Sequence, residues 1–495
     1  MEDERAFLAH LPHLPDLQCV WLLLSMCAAP RCNHILRVVP PSLSRRYAEE
    51  HDDAIWHTGA QLLSSTAASL DRTYPYARQI AGLPTHLGGL GLLPATRTAA
   101  AAYWAGWADA LAVLQQRRPH ETNEIVATLN AEVRWRAHCL DELLDAAHLL
   151  TSEGFTQRPT WTELAAGRRP PPQGRSGQEA SREPGEWAHG WQFYASRTRS
   201  TYRRETHIMP QLSETHQALL RSQSGPNAGA WLGAVPAGPG LELKPLHMLT
   251  ALRRRLRLPL GCRSRWCGGP RSRGCGREVD IYGDHAAACT RAGVIQRRAK
   301  PVEAAWCRVT REGLAGQGQV VAQQWLANTT AAGPDPSDRR RLDMVIYGLS
   351  PLGRVLCCDA TLVSPVHRNG RAQRHTARRD GEALRRAEER KKRRYQEVLD
   401  SPGAELVVLA AEVGGRWIDD CSWLAKQFLK VRVAQAPRLL RTSAALAWKR
   451  RWWSLLSVAV QSAFAASLIE PTGRQLAFVG GTDAPPLAEV LRHVD

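Results

Sequence analysis

At 495 residues, 44% of them apolar, the chain is long enough for about two to four domains with sizeable cores. Its 65 lysines and arginines against 47 acids give a net charge of +18, which points to a polyanionic partner, nucleic acid before acidic membrane. A disulfide-stapled secreted framework and a membrane protein are not expected: several of the 12 cysteines (Cys19, Cys27, Cys357, Cys358) sit in core-like apolar runs, the acidic start Met1-Glu-Asp-Glu-Arg is no signal peptide, and no apolar run approaches about 20 residues.

The first 115 residues read as helical. LQCVWLLLSMCAAP (17–30) predicts a buried helix ended by Pro30, and PSLSRRYAEEHDDAIWHTGAQLL (41–63) an amphipathic one with Ser42 or Ser44 as N-cap. Asp52-Asp53 lies in that helical pattern, whereas a polymerase metal site needs a tight hairpin between apolar strands. Gly88, Gly89 and Gly91 are too close together for a dinucleotide loop and predict a tight turn before a packed, small-residue helix. Helix with a charged face continues to residue 166. Residues 167–187 (GRRPPPQGRSGQEASREPGEW) cannot bury a core and read as a linker. A second Pro/Gly-rich weak spot spans 222–240. In HMLTALRRRLRLPL (247–260), Arg253, Arg254, Arg255 and Arg257 suit phosphate contacts, or form a solvated face.

Cys262, Cys267, Cys275, His285 and Cys289 then fall within one Gly/Arg-rich segment, a pattern of ligands that suits tetrahedral zinc. His285-x3-Cys289 fits two ligands from the first turn of one helix. The preferred set is Cys267, Cys275, His285 and Cys289, with Cys262 as the alternative first ligand. Arg263 and Arg265 would be displayed on this rigid knuckle beside nucleic acid.

After a helix over 299–314, RLDMVIYG and RVLCCDATLVSP read as two strands joined by a GLSPLG hairpin, each with one aspartate, Asp343 and Asp359. An ionised carboxylate deep in an apolar run needs compensation, and a divalent cation such as Mg²⁺ supplies it. In the charged helix that follows, Leu384, Ala387, Lys391, Tyr395 and Val398 share one stripe, so Lys391 points toward the sheet and Lys392 lies at its edge. Lys391 reads equally as a snorkelling stem or as a catalytic amine. The third strand, ELVVLAAEVGG, carries Glu412, either a third acidic ligand or a buried partner of Arg416. Trp452, Trp453 and Leu455 are expected to pack the core, with Lys449–Arg451 able to touch phosphates.

The order strand-Asp, strand-Asp, helix with Lys-x3-Tyr resembles the restriction-enzyme-like endonuclease of non-LTR retrotransposons, a PD-(D/E)xK variant whose lysine sits on a helix. The upstream CG…GDHAAAC matches the layout of those proteins. LQCVWLLLSMCAAPRCNHILRVVPPSL and LPTHLGGLGLLPATRTAAAAY look like the tail of a reverse transcriptase and its thumb. Position 361, two after Asp359, is threonine, so the resemblance puts the catalytic lysine at Lys391 or Lys392. No strand–turn–strand with aromatic-x-Asp-Asp occurs, so the polymerase palm is absent.

The expected fold class is α+β, a mostly helical N-terminal half followed by a small mixed sheet flanked by helices. The expected order is a thumb-like region (1–166), the linker (167–187), a helical connector with the basic helix (188–260), the knuckle (261–293), a restriction-like core (294–470) and a tail (471–495). The resemblance implies a nickase that opens chromosomal DNA so that the freed 3′-hydroxyl primes reverse transcription. Asp343 and Asp359 would bind Mg²⁺, Lys391 would assist the water and Tyr395 would support it. DNA and RNA are the expected partners and the nucleus the expected location. The alternatives are a non-catalytic nucleic-acid-binding remnant and a helical scaffold for protein partners.

Overall fold

The computed structural model describes residues 2–132, 134, 138–170, 189–260, 265–267, 275–290, 294–329, 337–350, 352–469 and 490–491. Most of the linker at 167–187, most of the tail, Cys262 and Arg263 lie outside them. The chain is mixed α+β, predominantly helical, with a small four-stranded mixed sheet. It forms two compact units. One is built from Met1–Pro15, Val20–Pro84 and Gly91–Gln211, the other from Asp16–Cys19, Thr85–Leu90 and Leu212–Asp495. The division at 211/212 falls inside the stretch 188–260 that the sequence suggests is a single connector.

The 17–30 run does not end as one helix. An α-helical turn at Leu17–Leu22 widens to π over Leu23–Ala28, tightens to 3₁₀ over Ala29–Cys32 and resumes as α over Asn33–Val38. Pro30 sits in the 3₁₀ turn, so it redirects the chain without stopping it. Helix α1 (Pro41–Leu62) starts with Pro41 in its first turn and no side-chain cap; Ser44 bonds back to the Pro40 carbonyl (3.2 Å). Asp52 is a remote cap for helix α2 (Ala95–Arg117), accepting from the N–H groups of Ala95 (2.6 Å) and Thr96 (3.1 Å) and from the Thr96 hydroxyl (2.6 Å). Asp53 instead pairs with Arg78. The small residues of α2 are needed for close approach: a Cβ on Gly106 would stand 2.4 Å from the Arg37 carbonyl oxygen. Trp104, Leu143, Leu150, Trp161 and Trp191, the last opening helix α3 (Trp191–Arg203), fill one core of the first unit.

The second unit begins with helices α4 (Glu214–Ser222) and α5 (Pro245–Arg255) and a short antiparallel pair, β1 (Arg265–Trp266) and β2 (Glu278–Val279). Helix α6 (Val294–Leu314) leads into the sheet β3 (Gln319–Trp325), β4 (Arg341–Tyr347), β5 (Val355–Val363) and β6 (Ala404–Glu412), which lie in that order. The first two pairings are antiparallel; β5 and β6 are parallel, with helix α7 (Glu382–Arg394) in the crossover. The sheet is covered on both faces, which is why its inner strands read as nearly continuous apolar runs. Met344, Ile346, Leu356 and Cys358 pack with Trp306 of α6, Phe428 of helix α8 (Asp419–Gln435) and Trp452 of helix α9 (Arg441–Ile469). Val345, Cys357 and Val408 pack with Leu384, Tyr395 and Val398 on the α7 side.

Trp452, Trp453 and Leu455 are buried in the first of these cores, as their pattern suggests. Arg451 is not free for phosphate: with Arg308 and the Trp452 indole it surrounds the buried Glu312 carboxylate at 2.9–3.2 Å. Glu312→Ala would leave two nearly buried guanidinium groups without a counter-ion and should cost about 3–5 kcal/mol in a urea melt. Two helical stretches, Leu17–Val38 and Arg438–Ile469, are long and apolar enough to cross a membrane, beyond what the sequence reading allows; 89% of the apolar window in the second is buried in the fold.

Candidate functional site

The register of β4 on β5 pairs Met344 with Cys358. One step further along this register sets Asp343 opposite Asp359, on the face that Val345 and Cys357 present to α7. The ladder opens there, and the Ala360 N–H donates to Asp343 Oδ2 (2.7 Å). Asp359 is buried and forms an ion pair with Lys391, whose ammonium arrives from α7 as the helical stripe predicts. Tyr395, at the C-terminal cap of α7, donates to the Arg341 carbonyl (3.2 Å) and lies near Asp359. Burial, reinforced by Asp359, holds its phenol well above the ordinary range. Lys392 turns away to Glu388.

A third carboxylate joins this pair from α6. Burial first, then Asp359, raises Glu303, while Lys300, Arg341 and Lys391 pull it down. Burial, then Asp359 and Glu303, pushes Asp343 up to about 7 against the Ala360 N–H and Lys391. Gln323 of β3 donates its amide to Glu303 (2.8 Å) and touches Asp343 (3.5 Å), its backbone in the left-handed region at φ 56°. Three acids thus share a half-buried space with one ion-paired ammonium. That is a local excess of negative charge.

Glu412 is not part of this group. It stands level with Val363 on β5, four residues from Asp359. Burial pushes it up to about 7, opposed by the nearby charge of Arg416. Arg416 acts on it only as a nearby charge and is not its salt-bridge partner, because its guanidinium pairs with Asp380 (2.9 Å) and donates to the Arg221 carbonyl (2.9 Å). A carboxyl raised above its unfolded value of about 4.3 keeps a proton in the native state that the unfolded chain has lost, so stability falls as pH rises from about 4 to 7. Glu412→Gln should flatten that fall in metal-free protein, read as melting temperature against pH.

The arginines expected to contact phosphate are used otherwise. Arg254 is buried, bonded to the Tyr282 carbonyl (2.6 Å) and paired with Asp284 (3.3 Å). Arg255 is buried and donates to the carbonyls of Gly89, Thr85 and Gln223 at 2.7–3.1 Å, and burial lowers it to about 9. Arg253 bonds the Pro259 carbonyl (2.6 Å), and Arg257 pairs with Asp284 (2.6 Å) over the Tyr282 ring. The basic stripe therefore ties α5 to its surroundings. Arg265 lies in β1, and the structure describes nothing further of its side chain.

Cys267, Cys275, His285 and Cys289 converge as the sequence suggests, their ligand atoms all within 4.8 Å of one another. Cys267 follows β1, Cys275 precedes β2, and His285 and Cys289 come from the short helix Asp284–Ala288 and its C-cap. The Cys267–Cys289 sulfur separation of 3.7 Å matches the edge of a tetrahedron with Zn–S bonds of about 2.3 Å, roughly 3.8 Å. Cys275 Sγ lies 3.2 Å from His285 Nε2. His285 Nδ1 is 3.0 Å from the Arg368 carbonyl, which only accepts, so the proton is on Nδ1 and Nε2 is left for a metal. This Cys3His group can hold a metal ion and is consistent with zinc.

Glu303 and Gln323 escape the sequence reading. The only signal for Glu303 is an acid beside Val302 on the helix that enters the sheet. Gln323 has none, because its role depends on an unusual backbone angle. No protein-family model and no curated protein matches the chain.

Proposed function

We propose that the second unit is a metal-dependent DNA-nicking endonuclease of the PD-(D/E)xK type, the C-terminal part of a non-LTR retrotransposon reverse transcriptase serving target-primed reverse transcription. The observation that carries this reading is the juxtaposition of Asp343, Asp359 and Glu303 with Lys391, four groups from two strands and two helices that meet at the open end of the β4–β5 ladder. Asp343, Asp359 and Glu303 would hold Mg²⁺, which when bound lowers the pKa of water and stabilises the leaving oxygen. Lys391 holds the scissile phosphate and orients the attacking water. Tyr395 supports Asp359 from behind, and the exposed Arg390, Arg393 and Arg394 of α7 offer phosphate contacts to duplex DNA beside the acids. DNA as target and RNA as template are the partners, and the nucleus is where they meet. Polymerisation is not expected, since the aromatic-x-Asp-Asp stretch Trp417–Asp420 runs into the first turn of α8 and not into a hairpin.

A second reading, a nucleic-acid-binding remnant without catalysis, is favoured by one observation: Asp359 already has a counter-ion in Lys391. Supercoiled plasmid incubated with the purified chain and Mg²⁺, with and without chelator, separates the two. The nuclease gives metal-dependent open circles. The remnant gives salt-sensitive binding and intact plasmid.

A further inference from the structure

Outside the nuclease unit, the first unit holds a cavity of about 310 Å³, between α1, the segment 78–97 and the end of α3. Asp52, Trp56, Arg78, Arg97 and Arg203 are among its lining. Its one carboxylate, Asp52, is already committed to capping α2. Arg78 lies toward solvent and pairs with Asp53 (2.6 Å). Arg199, behind the lining, pairs with Glu153. Among the described residues, the Arg97 guanidinium bonds the Gly82 carbonyl alone, and the Nε of Arg203 is buried with no hydrogen-bond partner.

Two guanidinium groups therefore share one half-buried space with no acid assigned to either. Burial first, then Arg203 and Arg199, presses Arg97 down to about 10, although Asp52 and Glu153 act the other way. Such an arrangement costs stability in the free protein, and a fold keeps it when an anion completes it. The forked donors of arginine match the oxygens of phosphate better than a halide. The volume suits a nucleotide-sized ligand.

We propose that this cavity binds a phosphate group, with Arg97 and Arg203 as its ligands, either from the backbone of a nucleic-acid strand or from a free nucleotide. The site is distinct from the acidic cluster, and its occupancy does not depend on nuclease activity.

The test uses the full chain and its Arg203→Gln and Arg203→Lys variants, melted in pyrophosphate and in chloride at equal ionic strength. Pyrophosphate should raise the wild-type melting temperature by a few degrees over chloride, the shift expected when a ligand binds only the folded state. R203Q should lose that shift and, relieved of like-charge contact, melt above wild type in chloride. R203K, which keeps the charge but not the fork, should retain a reduced shift. A single-stranded oligonucleotide and a nucleoside monophosphate separate the sources. A strand-binding site predicts about tenfold weaker oligonucleotide binding by R203Q with a salt slope lower by about one. A nucleotide site predicts that the monophosphate reproduces the pyrophosphate shift while oligonucleotide affinity stays unchanged. Equal pyrophosphate shifts in wild type and R203Q would overturn the proposal. So would a wild-type response no larger than that to chloride, which decides the matter even if R203Q does not fold.

Discussion

Asp359→Asn is expected to reduce magnesium-dependent nicking by about three orders of magnitude while the protein stays folded. The substitution keeps the side-chain volume in the middle of β5, where Asp359 is 3% exposed, and leaves the strand pairing untouched. If the unit is the proposed nuclease, the substitution removes one of three carboxylates that would hold its cation, whose stabilisation of transition-state charge is worth several kcal/mol, at about 1.4 kcal/mol per factor of ten. The loss of the Lys391 ion pair is offset in part, because repulsion of Asp343 and Glu303 falls at the same time. The Asp343 carboxyl, held up in wild type by burial and then by Asp359, should titrate at lower pH in the variant, which carboxyl NMR can follow. Undiminished nicking by a folded Asp359→Asn protein would remove the site assignment, whatever the fate of the Asp343 titration.

Removal of the metal from the Cys3His group is expected to unfold the segment around it. Two-residue strands and a five-residue helix cannot hold residues 265–290 in place by themselves. A structural zinc contributes an apparent ~10–16 kcal/mol in small zinc modules, far more than the local hydrogen bonds supply. Purified protein should contain one zinc per chain by mass spectrometry. Cys275→Ser should lower that content and open the segment to limited proteolysis, and strong chelation of wild type should do the same. Stoichiometric zinc missing from wild type, together with an unchanged protease pattern in Cys275→Ser, would mean that the four side chains meet without a metal role.

The sequence carries the sheet and the acid pair because both depend on local periodicity. Period-two alternation sets Asp343 and Asp359 on one face once the strands pair antiparallel, and the 3.6-residue period of α7 brings Lys391 to the same face. The Cys3His group is legible because soft ligands so close together in a Gly/Arg-rich segment have few other uses. What the sequence hides is long-range. Arg254 and Arg255 look like a phosphate-binding stripe until Asp284 and the carbonyls of Thr85, Gly89 and Gln223 are seen to take them up. Asp52 caps a helix that begins 43 residues later, and no local pattern announces that. Glu412 follows strand alternation into a buried position whose neighbours, Ser222 and Arg416, come from a distant helix and a following turn.

The position of α9 also bears on how the protein is made. Trp448, Trp452 and Trp453, together with Leu456 and Val460, close one side of the sheet, yet they leave the ribosome only after all four strands have been synthesised. Until then Met344, Ile346, Leu356 and Trp306 are covered on that side only in part, by α6 and α8, and a half-made chain would display a greasy, strand-bearing surface prone to aggregate. Completion of the packing behind the acidic cluster is thus a late event in translation, and a nascent chain stalled before residue 441 would be a client for chaperones.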